Sequence, residues 1–401
     1  MELFLAKHRA SPFRLKSMEV KTGFGGRVRS CVALLAIFHL AAYPPNPLRA
    51  QGLTDLSRPV YAKWSYKTDA VTNLTPATDA EKVYMPLGDG SLVSIRLADG
   101  GLSWRSEIGG AISASPVADS KSVYVASESL PSPKSEYPQA TGVLRALSRQ
   151  SGLTSWMRTL PFPVRGDINL NDGSLFVTTS EGRLYAFSKE SGEIKWIKYN
   201  SSPFSFLHSL RGEVLYTSDT SGDIIALAQD SGETLWRYRT RKALRAPVAA
   251  YGNVVYSGAA DGYVFALDRL TGRYKWRVRT GAAVQTVLAA EKCILATSLD
   301  NFIYCLSPQN GVKVWKRQMP GRVAAPPLLI NGSVLLAPLV GEDCVVLNLE
   351  DGKKINSIYV GEDKNTEAAP LNVADTLLLT TREGLSAFSN QSPKSRAADA
   401  P

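Results

Sequence analysis

Gly262-Tyr-Val-Phe-Ala-Leu-Asp-Arg-Leu-Thr-Gly-Arg-Tyr-Lys-Trp276 is the stretch on which the fold turns. It reads as a strand of alternating side chains, a turn ending in Gly272, and a second strand carrying an aromatic. The unit recurs with Ala146, Gly152 and Trp156, with Ala186, Gly192 and Trp196, and with Ala226, Gly232 and Trp236. Cys305 replaces the alanine in the copy ending at Trp315, and Ser94 replaces it in the copy ending at Trp104, while Gly311 and Gly100 keep their places. Fixed offsets between a small residue, a turn glycine and an indole make sense if each Trp lies over a neighbouring backbone that only small residues leave accessible. A ring buried there covers about 150–250 Å² and can dock one unit on the next.

Aligned on the closing tryptophan, the copies stand at Trp104, Trp156, Trp196, Trp236, Trp276 and Trp315, with spacings of 52, 40, 40, 40 and 39 residues. A forty-residue period with many short strands points to a propeller. One period holds four apolar or alternating runs separated by Tyr251-Gly252-Asn253, Ala259-Ala260-Asp261-Gly262 and Arg269-Leu270-Thr271-Gly272. Such turns tolerate the positive φ of tight hairpins, so each period is one four-stranded antiparallel blade. A seventh copy ends in Asn356 where Trp is expected, which predicts a weaker junction. The eighth begins at Arg382-Glu383-Gly384 and lacks an outer strand, while Trp64 stands forty residues before Trp104 in a strand without inner partners. Pairing these ends closes an all-β, eight-bladed β-propeller with no unpaired blade edge in the ring; seven blades result if the ends do not pair.

Residues 1–50 read as a secretory signal peptide. Basic residues precede an apolar run from Val32 to Ala42, and Leu48-Arg49-Ala50 offers a small-residue cleavage site. That run is about half the ~20 residues a bilayer-spanning helix needs, so no transmembrane anchor is expected after cleavage. Met18 offers an alternative start, and Cys31 precedes the apolar run, so lipidation is not expected. The propeller then occupies residues 51–390 and a disordered tail 391–401. Without the leader the chain has 38 Lys/Arg and 34 Asp/Glu, a net +4, which gives no footing for nucleic acid. Cys293 and Cys305 flank a hairpin tip at Leu299-Asp300-Asn301 and are equidistant from Leu299, so they either face each other across two antiparallel strands and bridge or pack as two small hydrophobes; Cys344 is left over.

Function is expected where the repeat varies. The interval between Trp104 and Trp156 carries twelve surplus residues, a proline-bearing insertion at 128–141 between the second and third strands of its blade. Strand alternation puts it on the same face as the connections between blades, and loops gathered on one face of a rigid scaffold are where binding resides. The basic residues Arg239, Arg241, Lys242, Arg245, Arg279 and Arg322 fall in three successive connections and are expected to form one positive sector, either a solvated rim or a dock for an acidic partner or anionic head group. Phe204 and Phe206 in the preceding connection are candidates for the same interface, with burial as the other reading. His208 is the one histidine of the exported part, with no second His or Cys at metal-ligand spacing. No serine or cysteine has an evident base partner, so no catalytic residue is assigned.

The repeated Ala-x-x-x-x-Ser/Thr-Gly-x-x-x-Trp unit resembles the tryptophan-docking repeat of quinoprotein-like (PQQ-like) β-propellers. That resemblance implies one of two classes: quinone-dependent alcohol and sugar dehydrogenases, or non-catalytic scaffolds such as the BamB type of outer-membrane assembly. The sequence lacks the vicinal cysteines of the alcohol-oxidising type and an assignable calcium site, so neither pyrroloquinoline quinone nor calcium is expected. Size, blade number and export match the BamB type, although those proteins are usually lipid-anchored. The expectation is therefore a monomeric, exported scaffold, periplasmic or extracellular, that binds a protein partner in the cell envelope. A dehydrogenase-like, or a ligand- or polysaccharide-binding, propeller is the alternative, and aromatics lining the central funnel would favour the last.

Overall fold

The computed structural model describes residues 53–129, 140–205 and 209–392. The leader, Phe206, His208, residues 130–139 of the insertion and the tail after 392 lie outside the described residues.

Every regular element among the described residues is a β-strand, and the strands form eight antiparallel sheets arranged as an eight-bladed propeller. Blade 5 shows the plan. Its strands Ala249–Tyr251, Val254–Gly258, Tyr263–Asp268 and Tyr274–Arg279 pair in that order, with Tyr256 opposite Ala266 and Ala266 opposite Trp276. The two middle strands are almost wholly buried because a neighbouring blade covers each face, and their sequences are accordingly near-continuous apolar runs. The outermost strand alternates exposed and buried positions and bulges just before its tryptophan. Blade 2 alone has a split first strand, Ala111–Ile112 and Val117–Ala118, both paired with Ser122–Glu128.

Blade 8 is built from both ends of the described chain. Leu371–Val373, Thr376–Thr381 and Gly384–Ser389 supply three strands, and Tyr61–Lys67 supplies the fourth, with Trp64 opposite Ala387. The pairing closes the ring at eight.

One contact repeats around that ring. The indole of Trp236 in blade 4 lies on Gly272 of blade 5, its third-to-fourth-strand turn, and its Nε1–H donates to the carbonyl of Arg269 at 3.0 Å. Trp64, Trp104, Trp156, Trp196, Trp276 and Trp315 donate likewise to Leu97, Arg149, Lys189, Gln229, Pro308 and Leu349 of the following blade, at 2.8–3.0 Å. Under each indole in blades 1 to 5 a second-strand ring packs at 5.7–6.1 Å between centroids, as Tyr84, Tyr124, Phe176, Tyr216 and Tyr256.

The junction after blade 7 departs from this plan for a topological reason. Blade 8 has no third-to-fourth-strand turn, because those strands come from opposite chain ends, so an indole on blade 7 would have no turn glycine to cover. Asn356 stands there instead and donates through Nδ2 to the carbonyls of Leu56 and Arg58, at 3.0 and 2.7 Å. Leu56 is buried in the cluster shared by blades 7 and 8. Asn390 donates to the carbonyls of Asp55 and Pro59 at 2.9 and 3.1 Å and accepts from the Asp55 N–H at 2.7 Å. Residues 54–59 thus form a clasp across the seam where sequence alone suggested only a missing ring.

Cys293 and Cys305 are disulfide-bonded, with Cα atoms 5.5 Å apart, and the free Cys344 is buried. The hairpin register differs from the one expected. Leu295 is opposite Cys305, so the hairpin centres on Asp300 rather than Leu299 and the bridge runs diagonally rather than straight across.

Candidate functional site: the loop-bearing face

In each blade the second-to-third-strand turn and the connection to the next blade emerge on one face, and the other two turns on the opposite face. The connection from blade 4 to blade 5 concentrates positive charge. Arg239 ends the strand Thr234–Arg239, and Arg241, Lys242 and Arg245 follow it, all exposed.

The backbone of this connection is pinned rather than loose. Thr240 donates through its N–H and its hydroxyl to the carbonyl of Gly222, at 3.1 and 2.6 Å. Its hydroxyl also accepts the N–H of Lys242 at 3.1 Å. A Cβ on Gly222 would stand 2.1 Å from the Lys242 carbonyl, so only glycine lets the connection lie this close. Arg241 takes φ of 59° there, the left-handed region.

Beneath the cations lie two buried carboxylates, Asp219 and Asp223, each about 2% exposed or less. Asp219 accepts from the N–H groups of Ser221 and Asp223, both at 3.0 Å, and from Nδ2 of Asn200 at 2.8 Å. Arg237 closes the circuit, donating to Asp223 Oδ2 at 3.1 Å and to Asn200 Oδ1 at 2.6 Å. Arg239 Nε lies 3.5 Å from Asp223 Oδ1, an oxygen with no hydrogen-bond partner of its own. The two carboxylates thus hold the guanidinium groups of Arg237 and Arg239, while Lys242 has Asp261 at 3.6 Å and Arg241 and Arg245 are in no ion pair among the described residues. Sequence reasoning located the arginines and missed Asp219, Asp223 and Asn200. The signal was present as two acids flanking the short turn Thr220-Ser221-Gly222, an arrangement that reads equally as ordinary turn chemistry.

Arg322, Arg279 and Phe204 have partners of their own. Arg322 pairs with Glu367 at 3.0 Å, so its charge is met within the protein. Arg279 belongs to the outer strand of blade 5, where its guanidinium lies 5.9 Å from the ring centre of Tyr263. Phe204 is not a surface anchor. It is 1% exposed, packed with Phe176, Leu184 and Leu215, and its N–H donates to Gly182 O at 2.9 Å. An apolar ring entering a new blade is worth more inside the blade stack than at its edge.

The central channel is a different environment. A cavity of about 640 Å³ between the first strands of blades 1 to 4 is lined by Ala77, Thr78, Val117, Leu170 and similar residues, with no aromatic ring and no carboxylate. Among the described residues no group of three or more His, Cys, Asp or Glu is placed to hold a metal ion, and no helix is long and apolar enough to cross a membrane.

Fold and face together define a class, the eight-bladed propellers whose four-stranded blades are docked by tryptophan. The sequence model for the outer membrane protein assembly factor BamB matches residues 104–222 and 220–396, and the chain belongs to that family. BamB from Moraxella catarrhalis superimposes with a TM-score of 0.69 at 14% identity, covering 82% of this chain and 100% of that one. The computationally designed Ika8 protein gives 0.69 at 12% identity, covering 82% and 99%. Quinohemoprotein alcohol dehydrogenase from Comamonas testosteroni gives 0.64 at 12% identity, covering 84% of this chain and 77% of that one. At such identities these likenesses describe the fold. No curated protein matches the chain in sequence.

Proposed function

We propose that this protein is an exported, non-catalytic scaffold that holds an acidic protein partner of the cell envelope on its loop-bearing face, in the assembly of outer-membrane proteins. The observation that carries the reading is the connection pinned through Thr240, which presents Arg239, Arg241, Lys242 and Arg245 together, Arg241 and Arg245 in no ion pair among the described residues. A fixed backbone lowers the ordering cost of binding, and clustered like charges speed encounter with an acidic surface. Family membership supports the assembly role, because the family is described as an outer membrane protein assembly factor.

Cross-linking in intact cells, followed by recovery of the protein and its partners, tests this. The double variant Arg241→Glu, Arg245→Glu, at the two cations in no ion pair among the described residues, is expected to lose the partner that wild type captures, with an unchanged melting temperature. Equal recovery by both proteins would overturn the assignment of this face.

A further inference from the structure

Charge is unevenly distributed around the ring. Residues 209–322, which hold blades 4 to 6, carry 16 Lys/Arg and 9 Asp/Glu, a net +7. Residues 323–392 carry 4 and 9, a net −5, and residues 53–208 carry 16 and 15. Much of the excess lies on the outer wall of blades 5 and 6, on the strands Tyr274–Arg279 and Lys313–Gln318.

Four cations of that wall sit against rings rather than carboxylates. Arg277 and Arg279 lie 4.9 and 5.9 Å from the ring centre of Tyr263, Lys313 lies 5.5 Å from that of Tyr304, and Lys316 lies 4.8 Å from that of Phe302. A ring face orients a cation without cancelling its charge. None of these four is in an ion pair among the described residues, whereas Lys275 between them reaches Asp268 at 3.7 Å. The same strands and their turns expose apolar groups beside the cations: Leu270 at 69%, Tyr274 at 51%, Val312 at 60% and Val314 at 54%.

We propose that the outer wall of blades 5 and 6 seats on a membrane surface rich in anionic lipid. Uncompensated Lys and Arg draw it to phosphate head groups, and the interspersed Leu, Val and Tyr side chains enter the boundary between head groups and acyl chains. A soluble acidic polypeptide would answer the charges and leave those four apolar side chains wet, so the alternation favours lipid. Docked this way the propeller stands edge-on, with its loop-bearing face open along the membrane plane. The proposal uses other residues than the connection between blades 4 and 5 and stands whether or not that connection binds a protein.

Sedimentation of the mature full chain with vesicles tests it, using phosphatidylcholine alone and phosphatidylcholine mixed with phosphatidylglycerol. The mixed vesicles are expected to carry the protein down at low salt and to release it near 1 M salt, where the screening length is about 3 Å. The variant Arg277→Gln, Arg279→Gln, Lys313→Gln, Lys316→Gln is expected to partition about a hundredfold more weakly, since each cation at an anionic surface strengthens binding severalfold. Lys353→Gln with Lys354→Gln, on blade 7, is expected to bind like wild type. Equal sedimentation with both vesicle types, undiminished binding by the fourfold variant, or retention on polyglutamate without binding to the mixed vesicles would each overturn the proposal.

Discussion

Trp236 approaches Gly272 so closely that a Cβ there would stand 2.6 Å from the indole, at a backbone φ of +67° that side chains other than glycine rarely adopt. Gly272→Ala therefore meets steric and conformational strain together. Trp276→Ala is expected to cost about 3–5 kcal/mol, as lost burial plus a cavity between blades 5 and 6, read from urea denaturation. These positions were legible because each recurs at a fixed offset. Asp79 and Asp119 were not, since an acid in a turn carries no signature of its partner. Asp79 holds the Tyr84 hydroxyl at 2.6 Å and Arg149 of the next blade at 3.1 Å; Asp119 holds Lys189 of the next blade at 3.1 Å. Burial opposes ionisation of each, but hydrogen bonds and the neighbouring cation outweigh it and leave both carboxyls below the ordinary value. A lowered folded pKa contributes stability that is complete above the unfolded value of about 3.9 and is lost as pH falls through the folded one. Replacing both by Asn is thus expected to flatten the loss of stability as pH falls below about 4, measured as denaturation midpoints across pH. Asn171 of blade 3 already makes the equivalent inter-blade link, to Gln229, with a neutral amide.

At the scale of elements, the hairpin of blade 6 gives the next test. Its disulfide spans twelve residues, and closing a loop of that order restrains the unfolded chain by about 3 kcal/mol. Reduction is expected to lower the stability of the protein by about 2–3 kcal/mol, with the fold retained, by comparing denaturation with and without dithiothreitol. The sequence placed the two cysteines on neighbouring strands. It left the register one step out, because Leu299, Asp300 and Asn301 allow more than one turn centre. The seam between blades 7 and 8 shows a similar limit. Asn356 was visible as a missing tryptophan, but its partners are the carbonyls of Leu56 and Arg58, about 300 residues away in sequence, and backbone acceptors leave no trace in residue identity. Asn356→Ala is expected to cost about 1–3 kcal/mol through two orphaned carbonyls, and Asn356→Trp is expected not to restore it, read from thermal melting.

On the scale of the whole molecule, blade number and the closing strand pair followed from the forty-residue period. The distribution of charge over the surface required the ring, since residues 209–322 are one segment in sequence but become a sector only when wrapped. What the seam implies reaches further. Tyr61–Lys67 begins, and Gly384–Ser389 ends, on the face opposite the loops, where the side chain of Asn390 bonds the backbone of Asp55. The described chain is therefore nearly a circle, and its opening between the third and fourth strands of blade 8 is a choice of position. Joining the present ends by a short linker and cutting instead at Leu270-Thr271 is expected to give a circular permutant with native strand pairing. Its new ends would leave the loop-bearing face as free as before, a result that circular dichroism and partner recovery would reveal.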